Sequence, residues 1–370
     1  MVLAHIEITD FRNISSIVCD FSEKVNFVFG DNAQGKTNLI EAIYHLCLAR
    51  SFKTRDDAEL LRFGANEFIL EGRFVDDIGI VKRVGVSFSP SQGKRVKVDG
   101  KRLGQLSHLV GQFPAVVLSS SDLILTSGPP AERRRFFNIL VSQSSAEALG
   151  ELREYERTLK QRNKILAQRS AGRDVRAEEM EVWDRQLVRS GEAVIKSRDR
   201  MVRDINAELD GIHHRISGAE ESLRIRYRPN VPLPAEGSIA ELFLTELQRS
   251  RHQERKLSTT VVGPHRDDFT FLLGDRDLRR YGSRGEHKTA LISVKAAEAR
   301  VLFRRTEIIP ILLLDDLYAE LDAMRSTRLL SAFGERGQTF ITGTSLDFQS
   351  TSGLSGQPVY FISAGRINKG

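Results

Sequence analysis

The residues Gly30-Asp31-Asn32-Ala33-Gln34-Gly35-Lys36-Thr37 have the spacing G-x-x-x-x-G-K-[ST] of a loop that cradles phosphates. Glycines at both ends let successive backbone N–H groups turn inward around an anion, and the following helix N-terminus adds a favourable dipole. In such a loop Lys36 reaches the β- and γ-phosphates of a nucleoside triphosphate, and the Thr37 hydroxyl sits on Mg²⁺. Further along, the apolar run Ile311-Leu312-Leu313-Leu314 ends in Asp315-Asp316. Carboxylates at the C-terminal end of a buried strand lie where open α/β sheets place ligands. Asp315 suits Mg²⁺, which takes oxygen ligands, and Asp316 suits orienting or deprotonating an attacking water. A third stretch, Tyr281-Gly282-Ser283-Arg284-Gly285-Glu286-His287-Lys288, puts small residues and a serine at a helix start, another anion-binding arrangement. A chain that already holds phosphates at Lys36 has no need of a second loop on the same nucleotide. A dimer resolves this, with Ser283 and Gly285 of one copy closing on the γ-phosphate held by the other.

The elements that must position these groups can be read from periodicity. His5–Ile8, Ile14–Phe21 and Val25–Phe29 read as strands, and Lys36–Ala49 reads as a helix with Leu39, Ile40, Ile43, Leu46 and Cys47 on one face. Two strands follow within Phe68–Phe88, then a hairpin from Lys94 to Val98 turning at Asp99-Gly100, then a strand over Phe113–Leu118. From about Pro129 long amphipathic helices are expected over Ala131–Ser142, Ala146–Gln168 and Ala177–Ile212. Leu223–Tyr227 returns to strand, Pro229–Gly237 to linker and Ile239–Lys256 to helix. The remainder alternates: strand Phe269–Leu273, helix Glu286–Arg304, strand Pro310–Asp315, helix Leu321–Phe333, and strands Gln338–Thr342 and Val359–Ile362. That alternation indicates an α/β sheet completed by both ends of the chain, with a mainly helical lobe inserted between them. The expected division is 1–128 as the N-terminal part of the ATPase domain, 129–222 as the helical lobe and 223–370 as the C-terminal part.

The chain has 370 residues, enough for two domains or one with a large insertion. Its net charge of +6 and pI of about 9.3 favour an anionic partner, although 28% charged residues also describes many proteins without one. Cys19 and Cys47 form no C-x-x-C pair, and no Cys/His cluster has zinc spacing, so buried thiols in a reducing cytosol are expected. The N-terminus reads as a strand rather than a signal peptide, and no window approaches about 20 apolar residues. The expectation is a soluble, cytoplasmic protein without a membrane partner. Histidines such as His213, His214 and His265 lack ligand-spaced carboxylates or thiols and read as hydrogen-bonding side chains.

The order of phosphate loop, distant serine–glycine signature, Asp-Asp strand and Glu320-Leu321-Asp322 resembles the P-loop ABC-type ATPases and, within them, the bacterial RecF family. Phe11-Arg12-Asn13, Glu132-Arg133-Arg134-Arg135-Phe136, Lys160-Gln161-Arg162-Asn163 and Val262-Gly263-Pro264-His265-Arg266-Asp267-Asp268 resemble that family's signatures in order. Gly-Pro-His-Arg-Asp-Asp is the most discriminating of these. Two stretches depart from the family pattern: Ser283–Lys288 differs from Ser-Gln-Gly-Gln-Gln-Arg, and Ser119-Ser120-Ser121-Asp122-Leu123 differs from Pro-Glu-Asp-Leu. Ile341-Thr342-Gly343-Thr344 lies where ABC proteins carry a switch histidine, and Thr344 is a candidate to bond a phosphate-bound water. The resemblance implies an ATP- and Mg²⁺-dependent clamp that dimerises on DNA, with Arg12 among the nucleotide-binding residues. It also implies slow hydrolysis as a release timer, since Asp316 stands where many ABC ATPases have Glu. Recombinational repair of gaps and stalled forks, partnership with RecR and RecO in support of RecA loading, and a contribution to the SOS response complete the implied role.

Three basic features are candidates for DNA. Lys94, Arg95, Lys97, Lys101 and Arg102 crowd the hairpin; Arg224, Arg226 and Arg228 alternate along one strand face; Lys53, Arg55 and Arg62 follow the first helix. Nothing in the sequence suggests base readout, so phosphate-backbone binding is expected. Two rivals are an ABC-type transport subunit and an ATP-gated scaffold with incidental hydrolysis. The long separation of Lys36 from Ser283 disfavours the first, and turnover measured with and without DNA separates the second.

Overall fold

The computed structural model describes residues 1–171, 177–234, 236–316, 337–345 and 356–370. The expected helix Leu321–Phe333 and the Glu320-Leu321-Asp322 segment lie outside the described residues.

The chain forms two compact units: Met1–Leu123 with Gly211–Glu220 and Lys288–Gly370, and Ile124–Asp210 with Glu221–His287. In chain order the first segment gives β1 (Val2–Phe11), β2 (Ile14–Asp20), β3 (Val25–Phe29), α1 (Lys36–Leu48) and β4 (Phe68–Val75). It continues with β5 (Val81–Ser89), β6 (Gly93–Val98), β7 (Lys101–Arg102) and β8 (Ala115–Ser119). Next come α2 (Ile124–Ser127), α3 (Pro130–Ser144), α4 (Ala146–Ser170), α5 (Ala177–Ser217), β9 (Leu223–Arg228) and α6 (Ile239–Leu257). Then follow β10 (Asp268–Leu273), β11 (Arg276–Asp277), α7 (Leu278–Tyr281) and α8 (Arg284–Thr306). The last strands are β12 (Ile311–Asp315), β13 (Thr339–Gly343), β14 (Val359–Ser363) and β15 (Arg366–Lys369).

The first unit holds two six-stranded sheets. One is antiparallel, in the order β2-β1-β4-β5-β6-β7; its strand β4 buries alternate residues, as a sheet with one wet face requires. The other runs β15-β14-β3-β13-β12-β8, parallel except for β15. There β12 and β8 are buried at every position, which explains why Ile311–Leu314 reads as a continuous apolar run. Helix α1 packs against strands of both sheets, so Leu39, Ile40, Ile43 and Leu46 join a core with Ile6, Phe11, Phe68, Leu313 and Phe340. The hairpin turns where expected: Asp99 and Gly100 both have positive φ, 49° and 76°, as a two-residue primed turn demands.

The second unit packs long helices around Leu152, Tyr155, Leu187, Ile195, Phe243 and Leu247 and carries a small antiparallel sheet, β11-β10-β9. It takes in Glu221–His287 as well as the helices. Among the described residues no helix is long and apolar enough to cross a membrane.

Candidate functional site

Strand β3 leads into the glycine-rich loop and α1 leaves it, so the loop caps the C-terminal end of the parallel sheet. Ala33 and Gly35 have positive φ, 65° and 116°. A Cβ on Gly30 would lie 2.3 Å from the Ile362 carbonyl oxygen of β14, and one on Gly35 would lie 3.1 Å from Asn13 Oδ1. Both glycines are therefore fixed by close backbone approach or backbone angle. Lys36 Nζ donates to the carbonyls of Gly30 (2.8 Å) and Asp31 (3.1 Å), so the ammonium lies folded over the loop.

The Asp-Asp strand meets this loop. Thr37 Oγ1 donates to Asp315 Oδ1 at 3.0 Å, joining residues 278 apart in sequence. Thr342 Oγ1 donates to the same oxygen at 2.9 Å and accepts from the Asp316 backbone N–H at 2.9 Å. Burial raises the Asp315 carboxyl above the usual carboxylate range, and the neighbouring Asp316 charge adds to this; the Thr342 and Thr37 hydroxyls and the positive charge of Lys53 oppose it. Asp316 is more exposed, with positive φ (50°), and its carboxylate lies 3.8 Å from Lys36 Nζ. An oxygen-rich pocket edge beside a phosphate-type loop is what a hard cation and a polyanion need together.

Asn32 and Asp31 are exposed on the loop, and Gln34 tethers it: its carbonyl accepts from Gly365 N–H (3.0 Å) and its side-chain oxygen from Ala364 N–H (2.6 Å). Arg12 is tied sideways. Its guanidinium makes two 2.9 Å bonds to the buried Glu41 of α1 and one of 2.8 Å to the Glu59 carbonyl. Next to it, Asn13 reaches the loop directly, donating to the Ala33 carbonyl (3.1 Å) and accepting from Asn38 (2.8 Å).

Reading the sequence named Asn13 and Thr342 within motifs without giving either a contact, and missed the influence of Lys53 on Asp315. Thr344, proposed from position, is exposed; the hydroxyl that reaches the carboxylate is Thr342, one alternation earlier. A fully buried threonine at the C-terminal end of a buried strand was the available signal.

In the second unit Ser283 caps α8. Its Oγ accepts from the Glu286 N–H (3.2 Å), and Glu286 Oε2 accepts from the Ser283 N–H (2.6 Å), a reciprocal capping box. The Ser283 backbone N–H, the Ser283 hydroxyl and Arg276, which lies 3.2 Å away and also pairs with Glu221, hold the Glu286 carboxyl below its ordinary range. Ser283 is exposed, and beside Gly285 the nearest atom to an added Cβ is Ser283 Oγ at 4.0 Å, so the approach is open. His213 bonds Ser293 (3.0 Å) and His214 bonds the Ala219 carbonyl (2.7 Å).

The basic clusters differ. On the hairpin Lys94 is committed to Asp57 (2.8 Å) and the Ala49 carbonyl (2.8 Å), and Arg95 to Glu67 and Gln92; Lys97 stays exposed. On β9, Arg224, Arg226 and Arg228 are all exposed.

Comparison with known proteins places this arrangement. The family model described as "RecF/RecN/SMC N terminal domain" matches residues 2–352. The DNA replication and repair protein RecF of Lactobacillus johnsonii is 38% identical over 372 residues, covering 100% of this chain and 99% of its own. That of Halalkalibacterium halodurans is 35% identical over 372 residues, covering 100% of each. The solved structure of the recombination mediator protein RecF-ATP in the RecFOR pathway is similar with a TM-score of 0.91 and 30% identity, covering 99% of this chain and 97% of that one. An Smc head bound to the C-winged helix domain of ScpA shares the fold alone, at 13% identity and a TM-score of 0.58.

Proposed function

This chain belongs to the RecF family of DNA replication and repair ATPases, and from that premise we propose that it is an ATP-gated DNA clamp. ATP is held by Gly30–Thr37, with Lys36 swinging from its carbonyl contacts to the phosphates. Thr37 and Asp315 are the ligands for Mg²⁺, a reading supported by the two side chains already converging at 3.0 Å. When bound, the ion neutralises charge on the phosphate being transferred. Two copies sandwich each nucleotide, with Ser283 and Gly285 of one facing the γ-phosphate on the other. Asp316 orients the attacking water and turns over slowly, so hydrolysis times release rather than driving motion. The DNA is a gap or stalled fork, and RecR and RecO are the partners through which RecA loading and SOS induction are supported.

The Thr37–Asp315 bond carries this reading, because it joins the phosphate loop to the acidic strand in one site. Sedimentation with ATP and Mg²⁺, with and without DNA, tests it. The wild type is expected to become dimeric, and Lys36→Arg and Ser283→Arg are expected to stay monomeric. A wild type that stays monomeric at saturating ATP rejects the clamp. Asp316→Asn should retain ATP-dependent association while losing turnover; unchanged turnover rejects its role.

A further inference from the structure

Among the described residues strand β9 is an edge strand of its sheet, pairing with β10. Its residues Leu223 and Ile225 are buried on one face, and Tyr227 on that face stacks on Phe269 and donates to Asp267. Arg224, Arg226 and Arg228 therefore all project from the other face, at intervals of about 7 Å along the strand. None of the three forms an ion pair among the described residues. The carboxylate across from Arg228 on β10 is Asp268, and it is taken by both arms of Arg133, at 2.7 and 3.1 Å. Arg226 faces Thr270 and Arg224 faces Leu272; Arg224 touches Ser222 Oγ only at 3.5 Å, the outer limit of a hydrogen bond.

The free edge of β9 is closed by a side chain. Asn206 donates to the Ile225 carbonyl and accepts from the Ile225 N–H, both at 2.8 Å, so its amide mimics a neighbouring strand. A peptide cannot add to this edge through those groups, which leaves the guanidinium row as the surface on offer.

We infer that Arg224, Arg226 and Arg228 are a ladder for consecutive phosphates of one extended DNA strand. The step between alternate residues of a strand is close to the phosphate-to-phosphate step along a stretched single strand. Guanidiniums left unpaired by their own fold are suited to bidentate contact with phosphate oxygens. The contact is independent of sequence, because it reaches no base edge. This rests on the DNA-binding reading above and adds the surface and the form of the strand.

The test is equilibrium binding of labelled oligothymidylate, and of a duplex of equal length, across a salt series with ATP and Mg²⁺ present. Replacing all three arginines by Gln is expected to lower the slope of log K against log salt by about 2 for the single strand, roughly 0.7 for each lost contact. Three Lys in their place should keep the slope, and Lys94→Gln with Arg95→Gln should lower it by less than about 1, since those cations are already spent. ATP affinity measured on the triple Gln variant reports folding. An unchanged slope in that variant, a loss confined to duplex, or displacement of the strand by polyglutamate at equal charge each overturns the ladder. A wild type that binds no DNA with ATP removes the DNA-binding reading and the ladder with it.

Discussion

The phosphate loop and the helical unit carry equally recognisable strings of residues, and they use them in opposite ways. Around Gly30–Thr37 the distinctive residues shape backbone, and under the proposed function Lys36, Thr37 and Asp316 exchange their present partners for nucleotide, ion and water. In the second unit the motif residues are spent on one another. Arg162 is 1% exposed and bonds Glu254 through two nitrogens (2.7 and 2.9 Å), Asp184 (2.8 Å) and Thr260 (2.8 Å). Asp267 of the Gly-Pro-His-Arg-Asp-Asp segment accepts from Arg198 (2.6 Å), Tyr227 (2.5 Å) and the Asn230 N–H (2.8 Å). His265 of the same segment bonds the Tyr155 hydroxyl (2.6 Å) and the Thr260 carbonyl (3.0 Å). A family-defining string is therefore not by itself a ligand-binding string; buried polar networks are demanding of residue type because each member must be satisfied.

The contrast can be broken by substitution. The largest effect is expected from Arg162→Ala, which strands two buried carboxylates and should cost about 3–5 kcal/mol in denaturant unfolding. A loss below about 1 kcal/mol would show that the network is dispensable. Acid should act next. Burial lowers the His265 pKa from 6.5 to about 4, so the folded state favours the neutral ring. Its contribution is complete above about pH 6.5 and is lost as pH falls towards about 4, on the order of 2–3 kcal/mol. His265→Gln should flatten the stability profile in that window relative to wild type, and parallel profiles would remove His265 as the cause.

At the loop the expected effect shifts from folding to binding. Lys36→Ala should weaken ATP by about 10- to 100-fold, the worth of one charge-assisted contact, while changing unfolding by less than Arg162→Ala does. Calorimetric titration alongside melting separates the two. The smallest effect sharpens the comparison at Ser283, which has a structural duty and a proposed ligand. Ser283→Ala should cost about 1 kcal/mol through the lost cap, whereas Glu286→Gln, which keeps a capping box, should cost less than about 0.5 kcal/mol. If both variants melt alike, the capping role is wrong.

What could be read from residue order follows from these same differences. Local chemistry was legible: Asp99-Gly100 adopts the positive φ pair its residues favour, and the loop forms between the strand and helix that its spacing requires. The apolar run before Asp315 was correctly a buried strand. Strand neighbours were not legible, because nothing in β3 states that β13 and β14, some 300 residues later, flank it. Nor was the burial of Arg162, whose neighbours Lys160, Gln161 and Asn163 suggest a wet helix face. The commitment of Arg12 to Glu41 and of Lys94 to Asp57 was hidden for the same reason: a cation's partner is a fact of tertiary contact.

The seating of β3 between two strands from the far end of the chain has a consequence for synthesis. A nascent polypeptide leaving the ribosome carries the glycine-rich turn early, yet the ladder partners on both sides of it, and the Ile362 carbonyl that crowds Gly30, arrive only once β14 has emerged. Truncated translation products that end before β14 should therefore be blind to nucleotide.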